Sequence, residues 1–398
     1  MDVSPPSRPR FERIAVCSVL GNPRDPKVWS AAPYSLANAL ERVGIGVERF
    51  DGSLPRPQVG LLALRYALDG YGIPPSSEAV LRTPAARRSS VRRVLRLARE
   101  AGIGDILHTG MLDVPVGPTD GSFRHYLYCD DDWSWSLTNR PDAMRYRRAG
   151  AETFALQDRL AMANIEHVFT FSQHLRAHML SHYGLAPDRV TAVGCGMGSI
   201  VPYDGPKDYG NGRILFVAKH FFVEKGGTLL LDAFHLARQS MPGLQLTIVG
   251  DSRSRRFAEG RDGVEVLDHL SWDELQSLYR RASLLAQPML NDPWGQVYVE
   301  ALASRTPVLG LNRNGLPEIV QQGRHGFLVD APEPNDIADA LLSAMANPAR
   351  LAAMGRSGQL HVVGQYSWDL VARRIASVDP ALPQTYACTP NRAVSANR

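Results

Sequence analysis

Two acids and two lysines supply the chemistry this sequence offers. Asp292 and Glu300 lie in the run Asn291-Asp292-Pro293-Trp294-Gly295-Gln296-Val297-Tyr298-Val299-Glu300-Ala301. Lys219 and Lys225 bracket His220-Phe221-Phe222-Val223-Glu224 and run into Gly226-Gly227. A carboxylate can accept two hydroxyl hydrogen bonds, which is what a sugar or a ribose presents. Lysines ahead of a glycine-rich helix start combine charge with exposed N–H groups, an anion site suited to a nucleoside diphosphate. Each group also has an ordinary reading: a helix cap with a surface glutamate, and two solvated lysines.

The elements that must position these groups can be read around them. Leu284-Leu285-Ala286 and Pro307-Val308-Leu309-Gly310-Leu311 read as buried strands. Between them, Trp294, Val297, Tyr298, Ala301 and Leu302 recur at the spacing of a helix packed on a sheet. Gln296 and Glu300, four apart, share a different face. Ile214 to Val217 is a strand feeding the lysine loop, and Leu229, Leu230, Ala233, Leu236 and Ala237 make the following helix. Both pairs therefore stand at the carboxyl ends of strands in α/β units, where such folds bind ligands.

The first half repeats this grammar. Arg13 to Leu20 reads as a strand, and a Gly/Pro loop leads to Trp29-Ser30-Ala31-Ala32-Pro33-Tyr34. Leu36, Ala39, Leu40 and Val43 mark a helix, and Ile45 to Phe50 a second strand. Ser30 is either a ligand contact or a helix N-cap. Alanine at 31 and 32 admits helical φ/ψ but removes the freest backbone approach. Asp105 to Gly110 gives a strand and loop carrying His108, a ligand contact or a structural histidine. Tyr126 to Cys129 runs into Asp130-Asp131-Asp132, where adjacent carboxylates could hold a diphosphate-bearing Mg²⁺. Residues 52–103 are broken by prolines. There Arg87, Arg88, Arg92, Arg93, Arg96 and Arg99 alternate with apolar residues, either a solvated helix face or a surface for an anionic membrane or phosphorylated acceptor.

The acidic stretch resembles the signature of family 4 glycosyltransferases of the GT-B fold (group 1 type): an acid, Pro, an aromatic and Gly, then four residues and Glu-Ala. Asp292 replaces that family's usual Glu. Trp29 to Tyr34 is similar to its Trp-Ser-Gly-Thr-Pro-Tyr loop, and Lys219 and Lys225 to its two diphosphate-binding cations. Asn314 to Val320 and Gly323 to Val329 match its closing signatures. The resemblance implies two Rossmann-like domains facing across a cleft. They would be residues 1–203, with 366–398 crossing back to them as a C-terminal helix, and 204–365 for the donor. It implies retaining transfer of a sugar from a nucleotide-diphosphate donor to a hydroxyl acceptor, with no metal or other cofactor. Lys225 and Lys219 would offset diphosphate charge, and Glu300 would hold the ribose. Asp292 would hold the sugar, and Gly295, Gln296 and Val297 would position it. Ser30, His108 and Asp131 would meet the donor from the first domain. A non-catalytic nucleotide-sugar binder and a sugar-nucleotide epimerase are the alternatives.

With 398 residues, 44% apolar and 21% charged, the chain has the size and balance of a two- or three-domain globular protein. A net charge of +4 does not suggest a nucleic-acid binder. Neither a membrane-spanning apolar run nor a secretory signal is visible, and the four cysteines form no CxxC pair. A cytoplasmic protein is expected, with peripheral membrane contact through Arg87–Arg99 as an option. Asp251 is expected to end a strand, and the residues from Pro380 to fray.

Overall fold

The computed structural model describes residues 11–139, 146–250, 252–321 and 323–377. Asp251, Cys388 and the segment from Pro380 lie outside them. Among the described residues, twelve strands form two six-stranded sheets, parallel throughout. The first holds β1 (Arg13–Ser18), β2 (Gly46–Asp51), β3 (Asp105–Thr109), β4 (Arg124–Cys129), β5 (Ile165–Thr170) and β6 (Val190–Ala192) in the order β2-β1-β3-β4-β5-β6. The second holds β7 (Arg213–Ala218), β8 (Gln245–Gly250), β9 (Val264–Leu267), β10 (Leu284–Ala286), β11 (Val308–Leu311) and β12 (Gly326–Val329), ordered β12-β11-β10-β7-β8-β9. Relabelled within its own unit, the second is the 3-2-1-4-5-6 order of a dinucleotide-binding fold. Near-continuous apolar runs such as Ile14-Ala15-Val16-Cys17 and Leu284-Leu285-Ala286 are almost fully buried, as strands covered by helices on both faces require.

In each sheet the connection reverses direction once, and a crevice opens there beyond the strand ends. In the second sheet that switch point lies between β7 and β10, in the first between β1 and β3. Both loops carrying the paired charges thus leave neighbouring strands.

No helix or strand occupies 193–212. The helix Trp368–Ser377 packs on the helix Ala32–Arg42 beside the first sheet. Arg42 pairs with Asp369 at 2.6 Å, and Arg374 Nη1 donates to Val193 O at 2.9 Å. Apolar contacts run unbroken from Val16 and Phe171 through Trp294 and Tyr366 to Leu215 and Leu302. Sequence reading left out the helices Arg56–Tyr66, Arg148–Met162 and Pro348–Gln365.

Candidate functional site

The second unit's switch point brings the expected charges together. Lys225 Nζ lies 3.3 Å from Asp292 Oδ2, and both side chains are roughly three-quarters buried. Asp292 Oδ1 accepts from Trp294 N at 3.2 Å and Gly295 N at 2.7 Å, so the carboxylate holds the turn with one oxygen and faces the lysine with the other. Gly295, at φ +79, is the N-cap of the helix Gln296–Ala303. A Cβ there would stand 2.4 Å from the Tyr298 ring. Asn314 Nδ2 donates to Asp292 O at 3.0 Å and Gly315 N to Pro293 O at 3.1 Å, pinning the turn from outside.

The glycine-rich corner differs from expectation. The N–H groups of Lys225, Gly226 and Gly227 donate to Phe221 O, Val223 O and Phe222 O, so the loop spends them on its own coil. Gly226 is needed for another reason: its φ is +82, and a Cβ would fall 2.0 Å from Pro288 O. This close approach, with Leu290 N donating to Glu224 O at 3.1 Å, clamps the β7 loop onto the β10 loop and sets Lys225 beside Asp292. Lys219 stands exposed at the end of β7, outside that pair.

Glu300 is 4% exposed, and its Oε2 accepts from Tyr279 OH at 2.9 Å. Burial pushes its carboxyl up to about 7, against the opposing pull of the Tyr279 hydrogen bond and Lys225. A Cβ at Gly198 (φ +64) would sit 3.1 Å from Glu300 Oε1. Gln296 Nε2 donates to Gly196 O at 2.5 Å, so the helix meets the segment linking the two sheets. Val297 is half-buried in the first turn. Tyr279 and Glu318 are absent from the expected site. Burial raises Glu318 to about 7, and its Oε2 accepts from Gln173 N at 2.7 Å, tying the helix Gln173–Tyr183 of the first unit to the second. The segment Asn314–Val320 was legible as a signature, but nothing in it marked Glu318 as a bridge. Tyr279 is one more apolar-face position of the helix Trp272–Arg281.

The first unit departs further from expectation. Trp29, Ser30 and Ala31 have φ of +41, +52 and +65, three successive left-handed residues without a glycine. Ala31 is the N-cap of the helix Ala32–Arg42, with no side-chain capping bond, so Ser30 does not serve as that cap. Ser30 stands exposed at the ligand edge of the first sheet. Aromatic packing holds the turn, with Trp29 against Phe171 at 5.4 Å, and Phe171 meets Trp294 at 6.4 Å across the two units. Such a turn costs energy that the surroundings must repay, a feature concentrated at ligand clamps.

His108 does not face the cleft. It is wholly buried, with Nδ1 3.0 Å from Asp113 Oδ1 and Nε2 3.0 Å from His125 Nδ1, so it cannot touch a donor. The three consecutive aspartates do not converge either. Asp132 is buried and caps the helix Trp133–Asn139 through Trp135 N at 2.7 Å, while His178 (3.1 Å), Ser134 (2.8 Å) and Tyr183 OH also bond to it. Asp131, half-buried at the end of β4, accepts from Ser136 Oγ at 2.9 Å. Asp132 and Asp131 are thus committed to different partners, and the three aspartates do not form a metal-holding group among the described residues.

The helix Pro84–Ala101 carries the arginines, but Arg87 turns inward to a buried pair with Asp158 at 2.8 Å. Arg88, Arg92, Arg96 and Arg99 remain exposed. Several of them line a cavity of about 530 Å³ between this helix and residues 115–123. No helix among the described residues is long and apolar enough to cross a membrane.

Two parallel sheets of this order, with ligand loops at facing switch points, define the GT-B class. Sucrose-phosphate synthase from Thermosynechococcus elongatus has the same fold, with a TM-score of 0.68 at 18% identity over 92% of this chain and 97% of that one. Anabaena Alr3699/HepE, solved in complex with UDP and glucose, gives 0.63 at 16% identity over 92% and 98%. Residues 205–361 match the family described as glycosyl transferases group 1. The D-inositol 3-phosphate glycosyltransferase of Segniliparus rotundus is 31% identical over 237 residues, 54% of this chain and 52% of that protein. Its counterpart from Pseudarthrobacter chlorophenolicus is 30% identical over 241 residues, 52% and 57%. The matched region spans about half the length of these curated relatives. The match to the group 1 glycosyltransferases thus falls on the second unit, residues 205–361, of a chain with the GT-B fold.

Proposed function

We propose that the chain is a retaining glycosyltransferase that moves a sugar from a nucleotide-diphosphate donor to a hydroxyl acceptor, with no metal in the transfer step. The observation that carries this reading is the Lys225–Asp292 pair at the switch point, with Glu300 one helix turn beyond Gln296. The donor diphosphate takes the place of Asp292 beside Lys225, and Lys219 swings in from the end of β7. Fixed positive charge at a departing diphosphate acts where negative charge develops, the largest single electrostatic contribution open to such a site. Freed from the lysine, Asp292 Oδ2 meets sugar hydroxyls while Oδ1 keeps the turn. The N-terminus of the helix Gln296–Ala303 adds its partial charge through Gly295, Gln296 and Val297. Glu300 accepts from the ribose hydroxyls, with Tyr279 fixing its orientation.

Residues 204–365 act as the donor domain; 1–203, with the returning 366–398, form the acceptor side, to which Ser30 and Asp131 contribute. Asp131 already spends one oxygen on Ser136, so its part is secondary. The relatives named for D-inositol 3-phosphate and the UDP-bound Anabaena structure make a UDP-sugar donor and a polyol phosphate the first pair to assay. A cytoplasmic setting belongs to this reading, and the exposed Arg88, Arg92, Arg96 and Arg99 allow contact with an anionic membrane.

The test is transfer from a panel of UDP-, GDP- and dTDP-sugars, with the product's anomeric configuration followed by NMR. Retained configuration and a rate unchanged by added Mg²⁺ or Mn²⁺ are expected. Donor binding without transfer to any acceptor would reverse the reading in favour of a nucleotide-sugar binding protein.

A further inference from the structure

The first sheet has a switch point of its own, between β1 and β3, and beneath it lies a cluster that sugar transfer does not use. We propose that Cys17, His108 and Asp113 bind a divalent metal ion of the zinc type, below the helix Pro84–Ala101 and separate from the transfer site.

The three ligands come from β1, β3 and the loop after β3, and their donor atoms all lie within 4.8 Å of one another. Cys17 Sγ is 3.4 Å from His108 Nδ1, which is 3.0 Å from Asp113 Oδ1. A tetrahedral zinc ion, with bonds near 2.3 Å to sulfur and 2.0–2.2 Å to nitrogen and oxygen, spaces neighbouring donors roughly 3.3–3.6 Å apart. The sulfur–nitrogen distance already falls in that window, and the nitrogen–oxygen distance falls a few tenths of an ångström short of it.

Asp113 gives an independent reason. It is 1% exposed, and neither of its carboxylate oxygens has an aligned hydrogen-bond donor. A buried carboxylate in that state is costly unless a cation compensates it. The loop that carries it is nevertheless held firmly, because Arg87 donates to Met111 O at 2.5 Å and to Val114 O at 3.0 Å on either side of it. The outer partners also fit. With Nδ1 on the ion, His108 Nε2–H points to His125 Nδ1 at 3.0 Å, the hydrogen bond that orients a metal-bound imidazole. One thiolate and one carboxylate neutralise a divalent charge, and a water completes the tetrahedron.

The experiment uses the full chain, purified without chelator or histidine tag and dialysed against metal-free buffer, with elemental analysis as the readout. About one zinc per chain is expected. After exchange, Co²⁺ should give a thiolate-to-cobalt charge-transfer band, and that band should vanish in Cys17→Ser. Asp113→Asn should lower metal content, and His125→Gln should weaken affinity 10–100-fold while far-UV circular dichroism shows the fold intact. Should Cys17→Ser not fold, Co²⁺ titration of the unaltered chain still decides. Metal-free protein that shows no cobalt–thiolate band after refolding with Co²⁺ overturns the proposal and leaves a buried histidine–carboxylate contact. Undiminished metal in the folded Cys17→Ser, Asp113→Asn double variant would also overturn it.

Discussion

The two switch points of this molecule share an architecture and differ in how they use it. In the second unit, the loops after β7 and β10 hold charge at the surface of the crevice: Lys225 and Asp292 pair at 3.3 Å and stay part-exposed. In the first unit, the ends of β1 and β3 and the loop after β3 do the reverse. Cys17, His108 and Asp113 sink below the sheet edge, and the crevice itself is met by a left-handed turn at Trp29–Ala31. A strand end at a switch point therefore offers a site, and the residue types decide whether it is displayed or buried.

Four substitutions can break or sharpen this contrast. The largest effect belongs to Lys225→Ala, which should lower kcat for transfer by roughly 10²–10³-fold, as losing one preorganised charge at a developing anion does. A change within threefold would show that the second crevice does not handle the leaving group. Gly226→Ala should cost about 3 kcal/mol or more in urea unfolding, since the new Cβ meets Pro288 O on a left-handed backbone. Ser30→Gly should act in the opposite direction in the first unit, stabilising by about 0.5–1 kcal/mol by relieving a left-handed serine. Equal signs for these two would dissolve the contrast between a glycine-built and a strained corner.

The remaining prediction concerns pH. Glu300 and Glu318 hold their protons more tightly folded than unfolded, with folded values of about 7 against an ordinary 4.5. Stability from this source is full below pH 4.5 and is lost as pH rises through 7. Glu300→Gln keeps an acceptor for Tyr279 and should flatten its share of that decline, seen as a smaller difference between urea midpoints at pH 5 and pH 7.5. An unchanged difference would mean Glu300 is ionised in the folded chain.

The same contrast explains what could be read from sequence. The acidic helix was legible because Trp294, Tyr298, Ala301 and Leu302 repeat at helical spacing and Asp292-Pro293-Trp294-Gly295 dictates one turn. Its strands, β10 among them, are short apolar runs bounded by turn residues. The fit of Gly226 against Pro288 could not be read, because that contact joins residues distant in sequence. The left-handed turn gave no signal, because Trp-Ser-Ala has no glycine to announce a positive φ; Trp29 packs on Phe171 there, a contact distant in sequence. His108 looked like a crevice residue because strand-end position does not say which way a side chain points. Asp130-Asp131-Asp132 looked like a metal site, since proximity in sequence hides that one aspartate caps the next helix and is buried. Tyr279 and Glu318 gave no local signal, as their partners lie on other elements.

The central claim is the proposal that Lys225 and Glu300 bind one nucleoside diphosphate at the β7–β10 switch point, with Asp292 displaced from the lysine toward the sugar. A crystal structure with bound UDP tests it most directly. The diphosphate should lie against Lys225 at the N-terminus of the helix Gln296–Ala303, with Asp292 Oδ2 released from the lysine and ribose hydroxyls on Glu300. A diphosphate bound elsewhere, with the Lys225–Asp292 pair still closed, would contradict it.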